Sequence, residues 1–162
     1  MRPITLCALA LAATLVAGCD KGKEGGQTEQ ETAQSEAPAA PEPDFVVVQH
    51  ILVGFKGSVP GKPITRTQTE AETLAQALLE RAKAGEDFDA LVREFSDDQH
   101  PGIYKMANFG QPYDVAQGVF ARAGMVPGFG DASFPLAVGG IGISEYDPAS
   151  SKYGWHIVKR LE

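Results

Sequence analysis

Cysteine is scarce and confined: the 162-residue chain has two, Cys7 and Cys19, both near its start. The remainder is cysteine-free, which excludes a disulfide framework and a thiol nucleophile there. No Gly-x-Ser-x-Gly elbow occurs either, which argues against a serine hydrolase. Positive charge is also short. The formal net charge is -7, and residues 45–162 hold fourteen acids against eleven bases. Such a chain offers no basic field for nucleic acid, and none is expected as a partner. The apolar stretch Ile4–Val16 is too short to span a bilayer.

That stretch follows Arg2 and ends in Leu15-Val16-Ala17-Gly18-Cys19. It reads as a signal peptide over 1–18. The pentapeptide resembles the lipobox of bacterial lipoproteins, which implies acylation of Cys19 and a place in the cell envelope, lipid-anchored to a bacterial membrane and facing the periplasm or exterior. Residues 20–44 contain no aromatic residue and no Val, Ile, Leu or Met, and carry seven acids against two bases. Too little apolar surface is available to offset the entropy of ordering, so 19–44 is expected to be a lipidated, disordered acidic tether.

After the tether, large apolar residues resume at Phe45. Phe45–Phe55 is the densest β-branched and aromatic run, apolar on both alternating faces, and reads as a central strand covered on both sides. His50 lies within it, on the face of Val48 and Leu52. It is either a satisfied core histidine or a working one. The loop Lys56–Arg66 follows, and then Thr67-Gln68-Thr69-Glu70 makes a capping box. Ala71, Leu74, Ala75, Leu78, Leu79 and Ala82 continue at helical spacing to Gly85. A shorter helix begins near Asp87, with Phe88, Leu91, Val92 and Phe95 inward. At its exit, Asp97-Asp98 is either a solvated helix end or holds an acid turned back to the sheet. Residues 101–118 show no clear period and read as a long loop. Met125 and Phe129, four apart, are two core residues or the wall of a pocket, with a short helix over Phe129–Phe134. Ile143–Tyr146 and Tyr153–Leu161 read as a closing antiparallel pair, in which His156 alternates with Val158.

Taken together, residues 46–161 resemble the parvulin family of peptidyl-prolyl isomerases. The carrying motifs are His50-Ile51-Leu52-Val53, Ile64-Thr65-Arg66-Thr67, Phe95-Ser96-Asp97, Phe120-Ala121-Arg122 with Met125 and Phe129, and Gly154-Trp155-His156-Ile157-Val158-Lys159. The resemblance implies an α+β fold of the FKBP-like superfamily over 45–162: a four-stranded antiparallel sheet among about four helices, with first and last strands side by side. It implies His50, Asp98, His156 and, at the family's hydroxyl position, Ser151 as catalytic residues. It implies a proline pocket of Met125, Phe129, Phe120 and either Gln117 or Phe109. No cofactor or metal is implied. The expected partners are unfolded or proline-containing polypeptides, and the expected state is a monomer. Gly54 stands where phosphate-selective members begin a basic cluster, so selectivity for phosphate is not expected.

Two rivals stand beside this reading. One is a tethered module of the same fold that holds polypeptides without turnover, using the 101–118 insertion. The other is a metal site from His50, Asp98, His100 and His156, which lacks any short-range ligand spacing.

Overall fold

The computed structural model describes residues 41–162. The signal peptide, Cys19 and most of the tether lie outside these residues. In chain order the elements are β1 (Phe45–Val53), α1 (Gln68–Lys83), α2 (Phe88–Phe95), β2 (Ile103–Ala107), β3 (Val119–Ala121), α3 (Pro127–Ser133), β4 (Ile141–Ser144) and β5 (Trp155–Arg160).

The strands form one sheet in the order β3-β2-β1-β5-β4. β1 is central, antiparallel to β2 on one side and to β5 on the other. The four-stranded antiparallel expectation needs correcting, because the described residues form a five-stranded sheet and β3 runs parallel to β2. Three α-helices are present among the described residues, with two 3-10 turns at Val115–Gln117 and Arg122–Gly124. The long loop of the sequence reading holds β2, which pairs from Phe45↔Ala107 to Gln49↔Ile103. The closing pair is shifted too: β4 starts at Ile141 and ends before Tyr146.

Burial explains why β1 is apolar on both faces. Ile51 and Val53 face a core with Ala71, Leu78, Leu91, Trp155 and Ile157, which α1 and α2 cover. Val46 and Val48 face a second core with Met106, Phe129, Phe134 and Val158, which α3 covers. Each fully buried side chain of this size contributes about 1.5–3 kcal/mol. The capping box starts α1: Thr67 Oγ1 accepts from the Glu70 amide, and Glu70 accepts from the Thr67 amide.

Two glycines seat β1 and β5 at the site end of the sheet. Gly154 has φ +136°, and a Cβ there would lie 2.2 Å from the Val53 carbonyl oxygen. At Gly54 a Cβ would meet Val59 Cγ2 at 2.7 Å, so the loop after β1 folds down onto a position with no room for a side chain.

The tether boundary drawn at 44 also moves. The Asn108 amide donates to the Asp44 carbonyl at 2.8 Å, and Asn108 Nδ2 donates to the Pro43 carbonyl at 3.0 Å. Residues 42–44 are therefore held by the domain.

Candidate functional site

The exit of α2 is fastened to β1, and that fastening aims one of the two acids. Ser96 Oγ accepts from the Leu52 amide at 3.1 Å, and the Asp97 amide donates to the Leu52 carbonyl at 2.8 Å. The Asp97 carboxylate accepts from the Gly54 amide and from both terminal nitrogens of Arg66. Asp97 is thus occupied with structure. Asp98, the next residue, turns its carboxylate over the sheet, where Oδ2 accepts from His50 Nε2 at 2.9 Å and from the Tyr104 hydroxyl at 2.9 Å.

The sheet register brings in the second histidine. His50 pairs with Val158 and Leu52 with His156, so the two histidines are diagonal neighbours on one face. Their Nδ1 atoms are 3.3 Å apart, and the rings stack at 5.4 Å and 12°. Both are 4% exposed, which leaves Asp98, 30% exposed in its side chain, as the polar group of the chain that meets solvent.

Aromatic rings wall this chain. Phe129, from α3, lies 5.0 Å from the His50 ring and 5.5 Å from His156. Tyr104 stands edge-on to His50 at 5.3 Å and to Phe129 at 5.9 Å. Above them opens a cleft of about 250 Å³, lined by His50, Asp98, Tyr104, Met125, Phe129 and His156, with Leu52, Val59, Pro60, Val126 and Tyr153 around them.

Burial and hydrogen bonding set the charges. The His50 hydrogen bond, with that of Tyr104 behind it, holds the Asp98 carboxyl well below the usual carboxylate range against the opposing effect of burial. Burial, reinforced by the neighbouring His50, pushes His156 down to about 3. Burial and the Asp98 hydrogen bond push the Tyr104 phenol up to about 12. The site therefore presents an anion backed by a neutral His156 and a neutral phenol.

The structure gathers His50, Asp98, His156, Met125 and Phe129 at one place. Phe120 touches the group through Tyr104, ring to ring at 5.7 Å, and lines an adjoining hollow with Met125. Three assignments need correcting. Ser151 is fully buried beneath the turn into β5, where it donates to the Gly154 carbonyl at 2.8 Å and accepts from Ser144 Oγ at 3.2 Å. Gln117 is exposed on a 3-10 turn held by Asp114, away from the cleft lining. Phe109 is 65% exposed and covers the Arg122 guanidinium at 4.8 Å. His100 is elsewhere, on Asp89 at 2.8 Å.

Tyr104 was missed by the sequence reading. Its signal was the alternation in Ile103-Tyr104-Lys105-Met106: Ile103 and Lys105 are exposed, while Tyr104 and Met106 point to the face that β1 shares with His50.

Residues 32–162 match the family described as the PPIC-type PPIASE domain. Over 113 residues, 69% of this chain and 21% of the relative, the sequence is 33% identical to the chaperone SurA of Chromohalobacter salexigens. Over 89 residues, 55% of this chain and 23% of the relative, it is 34% identical to the foldase protein PrsA of Halalkalibacterium halodurans. The matched segments thus span less than a quarter of those two proteins. Among solved structures, the peptidyl-prolyl isomerase ESS1 from Candida albicans aligns with a TM-score of 0.55 and 26% identity, covering 74% of this chain and 63% of that one. The solution structure of TbPIN1 aligns with a TM-score of 0.54 and 26% identity, covering 74% and 98%.

Proposed function

The chain belongs to the PpiC-type peptidyl-prolyl isomerase family of parvulin-like domains, and from that premise we propose that it speeds cis–trans rotation about Xaa-Pro bonds. Its substrates on this reading are unfolded, proline-containing segments of exported proteins. The observation that carries the reading is one cleft with an apolar wall, Met125 and Phe129, against a carboxylate, Asp98, held ionised from beneath.

Rotation breaks no covalent bond. Its barrier of about 18–20 kcal/mol comes from partial double-bond character in the C–N bond. In the twisted amide the nitrogen keeps its lone pair and the carbonyl oxygen loses negative charge. The pyrrolidine ring sits on Phe129 and Met125, one rigid and one adaptable surface. The carbonyl swings past Asp98, whose negative charge disfavours the charge-separated planar form more than the twisted one. His50 and Tyr104 aim that carboxylate by hydrogen bonds and keep it ionised. His156 braces His50. No proton changes hands, so the histidines position the site, and Ser151 does so more remotely through the turn before β5. Acylation of Cys19 would keep the domain at a membrane; among the described residues no helix is long and apolar enough to cross one.

A protease-coupled assay on short Xaa-Pro peptides tests this. Acceleration that is proportional to protein concentration supports an isomerase. Saturable peptide binding with an unchanged isomerisation rate would instead indicate a holding module of the same fold.

A further inference from the structure

Among the described residues, Arg122 is the most buried charged side chain away from the cleft, 8% exposed, and its partners are unusual. Its guanidinium lies between the rings of Phe109 and Phe134, at 4.8 and 4.6 Å. Nη1 donates to Glu42 at 2.5 Å and to Asn108 Oδ1 at 3.0 Å, and Nη2 donates to Asp131 at 2.8 Å. Nε is buried without a hydrogen-bond partner among the described residues. Of its two acids, Asp131 is 68% exposed and Glu42 only 38%. A guanidinium removed from water needs close counter-charge, and the less exposed acid supplies the stronger compensation.

Glu42 lies ahead of β1, outside the boundary that the sequence gives the domain. Its carboxylate also accepts from Asn108 Nδ2 at 3.3 Å, and Gln111 Nε2 donates to Asp44 at 2.7 Å. With the two bonds from Asn108 to Pro43 and Asp44, this short segment is strapped across the turn that follows β2.

The other side of Arg122 touches the proline wall. Its carbonyl accepts from the Met125 amide at 3.1 Å. Its stem lies on Gly130, where a Cβ would come within 3.0 Å of Arg122 Cγ. Gly130 follows Phe129, and Phe134 packs in the same core as Phe129. Arg122 therefore links the strap to both residues of the wall, through its backbone carbonyl at Met125 and through its side chain beside Phe129.

We propose that Glu42 is a positioning residue for the cleft: docked on Arg122, it fixes the distance between Met125 and Phe129, so that the segment ahead of β1 is a working part of the substrate site. The proposal rests on the peptide-binding role of that cleft. It makes the strap a control point, since drawing residues 42–44 away removes one of Arg122's two counter-charges and loosens the wall.

The test uses the full chain with Glu42→Gln and Glu42→Ala, each also in an Arg122→Met background. Hydrogen–deuterium exchange of the 125–130 amides is followed beside kcat and KM for an Xaa-Pro peptide. Glu42→Ala should speed exchange across 125–130 and raise KM by roughly three- to tenfold, less than the full worth of a charged hydrogen bond because Glu42 is partly exposed and acts on the cleft through Arg122, with kcat nearly unchanged. Glu42→Gln should do the same more weakly, and neither should add further once Arg122 is Met. A lower melting temperature with unchanged exchange at 125–130 and unchanged KM would make Glu42 a surface staple and overturn the proposal. So would an undiminished Glu42→Ala effect in the Arg122→Met background. If the native protein shows no turnover, the isomerase reading fails, while exchange and peptide binding still decide whether the strap acts.

Discussion

His156 meets His50 at Nδ1, 3.3 Å away, and leaves its own Nε2 buried with no hydrogen-bond partner among the described residues. A buried imidazole with one bare nitrogen resists a second proton, since the cation would have to be desolvated with one N–H unsatisfied. This agrees with its depressed pKa and gives the site a dependence on acid that is separate from catalysis.

Stability should fall as pH drops from about 6.5 towards 3. In the unfolded chain His156 takes up a proton near 6.5, whereas the folded one refuses it until about 3. Asp98 adds a loss of the same sign below its unfolded value of 3.8, where the unfolded carboxyl is protonated and the folded one is not. Urea melts of native protein and His156→Gln between pH 4 and 7 check the first effect. The variant should be less stable at pH 7 by about 1–3 kcal/mol, through the partner left unpaired. Its stability should also depend less on pH across the window. An equal slope in both proteins would contradict the neutral His156.

Tyr104→Phe removes one of the two side-chain hydrogen bonds to the Asp98 carboxylate and leaves the edge contacts with His50 and Phe129. Losing a hydrogen bond to a charged group is worth about 1.5–3 kcal/mol where both partners are buried, and less at this half-buried acid. We expect kcat/KM to fall severalfold and the Asp98 carboxyl to titrate at higher pH, measurable by carbon-13 NMR of the side chain. An unshifted Asp98 would place the phenol outside the network.

Ser151→Ala should destabilise without touching turnover per folded molecule. The hydroxyl bridges Ser144 Oγ and the Gly154 carbonyl in a fully buried turn, so its loss costs about 1–3 kcal/mol. Melting temperature should drop while kcat/KM at low temperature stays within about twofold, a difference of a few tenths of a kcal/mol. A large loss of kcat/KM with an unchanged melt would return Ser151 to the catalytic group.

Much of this was legible in the residues. The two-faced apolar pattern of β1 made it central, and the capping box fixed the start of α1. The family motifs placed His50, Asp98, His156, Met125 and Phe129, which the fold gathers into one cleft. The residues that escaped depend on long-range pairing. β2 is five residues long between Pro101-Gly102 and Asn108, too short for its alternation to stand out, and only pairing with β1 makes it a strand. Tyr104 went with it. Gln117 follows from a gapless count back from Phe120, with Phe109 of Asn108-Phe109-Gly110 as the alternative, and the insertion breaks that count by folding into its own 3-10 turn. Glu42 looked like tether by composition, because nothing local reveals a buried arginine eighty positions on.

Phosphate ahead of proline should not be required. Gly54 has no room for a side chain, and Arg66 is committed to Asp97. For phosphoserine-proline against alanine-proline peptides, kcat/KM should differ by less than about tenfold, or ~1.4 kcal/mol. A much larger preference would require an anion site near the cleft.

The most direct test of the central claim is NMR exchange spectroscopy on an Ala-Pro peptide with substoichiometric protein, comparing native chain with Phe129→Leu and Phe129→Ala. Uncatalysed interconversion takes tens to hundreds of seconds and gives no cross-peaks at subsecond mixing times. The native protein should produce them. Phe129→Leu should weaken them, and Phe129→Ala should lower the rate roughly 10- to 100-fold, if most of the ring's ~1.5–3 kcal/mol of contact is expressed in the twisted state. Full cross-peaks from a folded Phe129→Ala protein, or none from the native one, would contradict the account.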